Sequence, residues 1–180
     1  MSDFQFTLFE TTLGRCGLAW GPAGIRAVSF AHADAATTRN YMRRHAPDAV
    51  EPAEPPKEIV RIITDIAALF EGEPRDLSYV KLDFDRVGDF EREVYMLSLQ
   101  IKPGDTKTYG DLARALGDVS LSRRVGQALG RNPFPIIVPC HRIVGADGAM
   151  TGFSAPGGAE LKRRLLKIEG ALSPDLFDGF

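Results

Sequence analysis

The chain has 180 residues, 44% of them hydrophobic and 26% charged, with a formal net charge of −2. That balance suits a soluble globular protein with one good core or two small packed domains, and it excludes a disordered or collagen-like chain. No apolar run reaches the roughly 18 residues that a membrane helix needs, and the acidic opening Met1-Ser2-Asp3-Phe4 has neither the basic nor the apolar part of a secretory signal, so the expected location is the cytoplasm.

The first third reads as β-rich. Residues 4–9 alternate apolar and polar, the period of a half-buried strand, and residues 15–20 and 25–30 read as two more strands around a Gly21-Pro22-Ala23-Gly24 turn. Residues 33–45 then suggest a helix with a polar face. The proline-rich, acidic stretch 48–56 is a loop. Ile59, Ile62, Ile63, Ile66, Leu69 and Phe70 recur at helical spacing and predict a helix over 58–70. Residues 80–84 are a short candidate strand, and a boundary near 85–88 divides the chain into domains 1–86 and 87–180.

The second half has a different texture. A helix is expected over 90–101, ended by Pro103-Gly104. Thr108 can cap a helix over 109–116 that stops at Gly117, and Ser120 or Ser122 can cap another reaching Gly130. Two short helices around a glycine-containing turn are a helix-turn-helix signal, though many helical hairpins share it. Asn132-Pro133-Phe134-Pro135 forces extended chain, and Ile136-Ile137-Val138 reads as a buried, strand-like run leading to Pro139-Cys140-His141-Arg142. Residues 160–168 form a basic amphipathic helix closed by Gly170. No internal repeat is present.

Charge is unevenly spread. Residues 1–85 hold 9 Lys/Arg against 13 Asp/Glu, whereas residues 120–170 hold 8 against 3. A basic excess there suits a polyanion, and equally a solvated face. The two cysteines, Cys16 and Cys140, are too few for a disulfide framework. Cys16 lies in an apolar alternating run and reads as a small buried hydrophobe. His32, His45 and His141 have no metal-ligand spacing with the cysteines, so no metal is expected.

Cys140 beside His141 is the chemically suggestive pair. The thiolate is the nucleophile, and a free thiol is mostly protonated at neutral pH, so a nearby base must take its proton. Neighbours in an extended strand point to opposite faces, so His141 can serve Cys140 only if the chain turns there or a water bridges them. Taken alone, such a pair is more often a buried cysteine next to a surface histidine.

The longer string around it changes that reading. Asn132-Pro133, Pro135 and Pro139-Cys140-His141-Arg142 resemble the signature of the O6-alkylguanine-DNA alkyltransferase family, a Pro-Cys-His-Arg block after an Asn-Pro segment. The likeness continues in Ile143-Val144, in Gly152-Phe153-Ser154 and in Leu165-Leu166-Lys167-Ile168-Glu169-Gly170. Upstream it includes Thr108-Tyr109-Gly110-Asp111-Leu112-Ala113 and Arg123-Arg124-Val125-Gly126. It is strong over roughly residues 88–170 and only general in the N-terminal third.

The resemblance implies an α+β (α/β) fold: an N-terminal ribonuclease-H-like β-sheet with flanking helices, then a mostly helical, winged-helix-like domain with a helix-turn-helix. It implies direct-reversal repair of DNA. An alkyl group passes irreversibly, once per molecule and without a cofactor, from O6-alkylguanine or O4-alkylthymine to Cys140. The partner is double-stranded DNA, met by a monomer. His141 is then the base that removes the thiol proton through a water, Glu169 the carboxylate that orients it, and Asn132 the tie between the catalytic turn and the helix-turn-helix. Tyr109 serves the extruded base, Arg123 fills the gap left in the stack, and Arg124 contacts phosphate. The lesion lies inside the duplex, so it must be flipped out, with the recognition helix in the minor groove. Gly126, Ala128 and Gly130 suit close approach of that helix to the DNA. Pro139, Phe153 and Ser154 border the alkyl pocket.

Some features depart from the family pattern. Phe153 stands where many relatives have tyrosine, the loop after Ser154 is longer than in some, and a zinc-binding set found in some is missing. Related non-catalytic lesion binders carry tryptophan in place of Cys140. Two other classes stay open at this point: a lesion-binding module without chemistry, and a Cys-His hydrolase of small molecules.

Overall fold

The computed structural model describes residues 2–150 and 153–173. Strands β1 (Gln5–Thr11), β2 (Gly14–Gly21) and β3 (Gly24–Ser29) form an antiparallel meander in the order β1-β2-β3. Helix α1 (Ala35–His45) is capped by Asp34, whose carboxylate accepts from the Thr37 N–H at 2.7 Å. It covers one sheet face, where Phe6, Ala19 and Ala27 meet Met42 and Ala46. The other face presents Phe9, Cys16, Leu18 and Trp20 to the apolar stripe of α2 (Lys57–Phe70). This second cluster continues without a break through the C-terminal helices to Ile143 and Leu165.

Residues 80–84 do not form the expected strand. They make one parallel bridge, Ile25 to Leu82, with Ile25 N–H donating to Lys81 and Asp83 N–H donating to Ile25, both at 2.8 Å. The approach is so close that a Cβ on Gly24, which has φ +123°, would lie 2.5 Å from the Lys81 carbonyl oxygen. A buried Arg26–Asp83 ion pair at 2.8 Å locks the same junction.

The C-terminal helices are α3 (Asp89–Ser98), α4 (Tyr109–Ala115) and α5 (Ser122–Gly130), packed on one another. Thr108 caps α4 as expected, in a reciprocal capping box with Asp111. The start of α5 differs from expectation. Asp118 caps a short 3₁₀ turn (Val119–Leu121) by accepting the Ser120 N–H, and α5 grows directly out of that turn. Ser122 donates its hydroxyl to Val119 instead of capping. The extended φ of −152° that an N-cap needs belongs to Asp118.

Ile136-Ile137-Val138 is buried as expected but is a turn, not a strand-like run. Val138 N–H closes it on Phe134 at 2.8 Å, and Ile136 sits at φ +77°, rare for a β-branched residue. Pro133, Pro135 and Pro139 lack N–H donors, so no strand ladder can form here. After a 3₁₀ turn at Cys140–Arg142, β5 (Ile143–Val144) pairs in parallel with β4 (Lys107–Thr108), a pairing with no sequence signal. Helix α6 (Gly158–Ile168) closes the described chain, and Gly152 lies outside the described residues. No helix among the described residues is long and apolar enough to cross a membrane.

Candidate active site

Asn132 organises the turn that carries Cys140. It follows α5, and its amide donates to the Val138 carbonyl at 3.0 Å while its oxygen accepts the Phe134 N–H at 2.9 Å. One side chain thus satisfies both ends of a buried, proline-interrupted turn. The β4–β5 pairing anchors the other side and sets that turn beside Tyr109, the first residue of α4.

Because Cys140–Arg142 is a 3₁₀ turn, successive side chains do not alternate across two faces. His141 is fully buried, and its Nε2 meets Glu169 Oε1 at 2.8 Å. Glu169 ends α6, and its side chain is only 2% exposed. Sequence alone would have made it a surface residue at a helix end. Arg142 donates to both Glu169 oxygens at 2.8 Å, and to the Ile101 carbonyl at 2.7 Å. Burial opposes charge on Glu169, but the hydrogen bonds from Arg142 and His141 outweigh it and hold the carboxyl at about 2. Burial pushes His141 below the ordinary imidazole range despite its carboxylate partner.

These directions define a protonation state. Glu169 is ionised, so the 2.8 Å contact places a proton on His141 Nε2. Nδ1 is then an unprotonated acceptor, and it is buried with no hydrogen-bond partner among the described residues. Burial likewise pushes the Cys140 thiol up. The Asn132 amide, the Lys162 ammonium and the backbone N–H groups of Cys140 and His141 all act the other way, favouring thiolate.

Lys162 joins the site without a motif to announce it. It is 1% exposed on the inner face of α6, donates to the Ile143 carbonyl at 2.5 Å, and lies 5.8 Å from the Tyr109 ring centroid and 6.0 Å from that of Phe153. Its helical register with Leu165 and Leu166 carries a faint signal, since a lysine on the apolar side of a helix is unusual. Arg142 could have been found as the last residue of the Pro-Cys-His-Arg block.

Cys140 is partly exposed and lines a cavity of about 280 Å³. Phe153 and Ser154 line it as expected. Pro139 does not: it is buried behind the turn, and Pro135 takes its place, because the left-handed step at Ile136 rotates the chain between the two prolines. The opposite wall comes from the segment after β3, through Phe30 and His32, and from α1, through Tyr41, residues with no motif to mark them.

On α5, Val125, Ala128 and Leu129 face the core, while Arg123 and Arg124 are exposed. Ala128 is therefore corrected: it is 1% exposed, and its carbonyl accepts the Tyr95 hydroxyl at 2.6 Å, so its methyl cannot meet DNA. Gly126 packs along Tyr109, where an added Cβ would make ordinary contact at 3.8 Å. Arg124 stacks on Phe90 with its guanidinium carbon 3.9 Å from the ring centroid. Among the described residues, no group of His, Cys, Asp and Glu could hold a metal ion.

The fold and the site define a helix-turn-helix protein with a cysteine-centred active site built on the turn after its second helix. Residues 89–171 match the family model of the 6-O-methylguanine DNA methyltransferase DNA-binding domain. A methylated-DNA–protein-cysteine methyltransferase of Methanosarcina acetivorans is 35% identical over 167 residues, covering 92% of this chain and 98% of that one. The enzyme of that name from Mycobacterium tuberculosis is 41% identical over 119 residues, 64% of this chain and 70% of its own. The crystal structure of M. tuberculosis OGT in complex with DNA superposes with a TM-score of 0.74 at 29% identity, covering 95% of this chain and 96% of that one. The chain belongs to the methylated-DNA–protein-cysteine methyltransferase family.

Proposed function

We propose that this protein repairs DNA by moving an alkyl group from O6-alkylguanine, and from O4-alkylthymine, onto Cys140, once per molecule. His141 Nδ1 takes the thiol proton through a water, and the sulfur attacks the alkyl carbon. An S–C bond forms, the C–O6 bond breaks, and its electron pair goes to the base, which leaves as repaired guanine after protonation. Tyr109 donates to the base as charge develops. Glu169, held ionised by Arg142, stabilises the imidazolium, and Lys162 stabilises the thiolate. The thioether product has no route back, so no turnover follows.

The observation that carries this reading is the buried His141–Glu169 pair, which leaves Nδ1 unpartnered one residue from a cavity-lining cysteine. The exposed Arg123 and Arg124 at the start of α5 support docking of duplex DNA, with Arg123 entering the stack as the lesion swings out. The protein is assigned to the cytoplasm as a monomer that needs no cofactor.

Incubation with duplex DNA containing O6-methylguanine is expected to add one methyl mass to the Cys140 peptide. Cys140→Ala protein should bind that DNA and gain no mass. Methylation of Cys16 would overturn the assignment. A lesion binder would gain no adduct at all, and a hydrolase would turn over activated esters repeatedly.

A further inference from the structure

Beside the acceptor cavity lies a second groove of about 350 Å³, and the two share Tyr41, Asn132 and Ser154 in their linings. Three exposed arginines, Arg44 from α1, Arg86 from the segment before α3 and Arg131 after α5, converge on it. Its one carboxylate, Asp83, is already committed to Arg26 in the buried pair. Arg44 and Arg86 have no ion pair among the described residues, and Arg131 meets only Glu91, at 3.6 Å with its own side chain 68% exposed. A cluster of three exposed guanidiniums with a single loose ion pair among them is a site for an anion with several acceptor oxygens.

We infer that this groove holds backbone phosphate of the lesion strand next to the extruded nucleotide, so that the N-terminal half takes part in DNA binding. The inference rests on the alkyltransferase reading. A base seated in the Cys140 cavity carries its phosphates toward the mouth, and the mouth residues Tyr41 and Ser154 are also the lip of the arginine groove. Arg44 lies with its guanidinium carbon 5.8 Å from the Tyr41 ring centroid, which keeps it on that lip. The helix-turn-helix then need not hold the flipped strand alone.

Arg43 is a built-in control. It is exposed on the same helix and carries the same charge, but it lies over Phe6 and does not line the groove. Equilibrium binding to O6-methylguanine duplex is measured against salt in a Cys140→Ala background, which blocks transfer. Removing one arginine that neutralises a phosphate should lower the slope of log K against log salt by about 0.9. Arg44→Gln and Arg86→Gln are each expected to show that drop, the double variant about twice it, and Arg43→Gln none. Equal slopes in all variants, or an equal drop in Arg43→Gln, would overturn the groove as a phosphate site. Failure of the Cys140-intact protein to gain methyl mass would instead sink the alkyltransferase reading.

Discussion

The two cysteines occupy contrasting regions. Cys16 lies on β2 with no exposed surface, beside the Thr11 hydroxyl at 3.7 Å, and burial pushes its thiol up to about 11. Burial raises Cys140 as well. A depressed thiol pKa is therefore not what separates the two cysteines. Around Cys140 stand a cavity, a neutral imidazole with a free nitrogen and a buried ammonium. Around Cys16 stand strands and apolar side chains. What sets Cys140 apart is access from a cavity and a neighbouring imidazole nitrogen without a hydrogen-bond partner among the described residues.

The two buried acid–guanidinium pairs differ in the same way. Arg26–Asp83 closes on itself and fastens the 80–84 segment to the sheet. Arg142–Glu169 has a third member, His141, the group proposed to move the thiol proton. A buried pair alone is weak evidence for stability. The second pair is better explained by the imidazole it orients.

Five experiments put this contrast at risk. The largest effect is expected from Cys140→Ala, which should abolish methyl uptake completely, whereas Cys16→Ala should leave its rate unchanged; intact-protein mass spectrometry against time reads both. Next, His141→Ala should slow single-turnover transfer by roughly 10²- to 10⁴-fold, the usual worth of a positioned base. In the unaltered protein the same base sets the acid limb: because burial lowers His141 from its ordinary 6.5, the midpoint of the fall in transfer should lie below pH 6.5. A midpoint above pH 6.5 would contradict a buried neutral imidazole.

Glu169→Gln should cost about 3 kcal/mol in urea unfolding near neutral pH, because it leaves Arg142 buried without its partner. The folded carboxyl sits at about 2 against an ordinary 4.5. Its contribution is therefore fully present above pH 4.5 and is lost as pH falls toward 2, so the gap between variant and parent should narrow across that window. Smallest is Lys162→Met, expected to slow transfer roughly tenfold, the rate change that about 1.4 kcal/mol of lost electrostatic stabilisation produces. A matching change in the alkylation of Cys140 by iodoacetamide, with Cys16 unreactive, would tie the effect to the sulfur.

The fold and much of the site were legible in the chain because they rest on local rules. Period-two and helical spacing marked the three strands and α2, and Thr108 marked the start of α4, whereas the turn before Cys140 reads from the sequence as an extended, strand-like run. Other features depend on residues far apart in sequence. Glu169 meets His141 across 28 positions, β4 meets β5, Lys162 turns inward, and Phe30, His32 and Tyr41 wall the cavity from the other half of the molecule. The same limit misplaced Ala128 and Pro139, whose facing is set by the packing of α5 and the left-handed step at Ile136. The order of residues fixes which groups can react and roughly where the chain turns. Packing in three dimensions chooses which nitrogen stays unpaired, which charges lose water and which side chains share a cavity, because desolvation and proximity are properties of packed surfaces and not of neighbours along a chain.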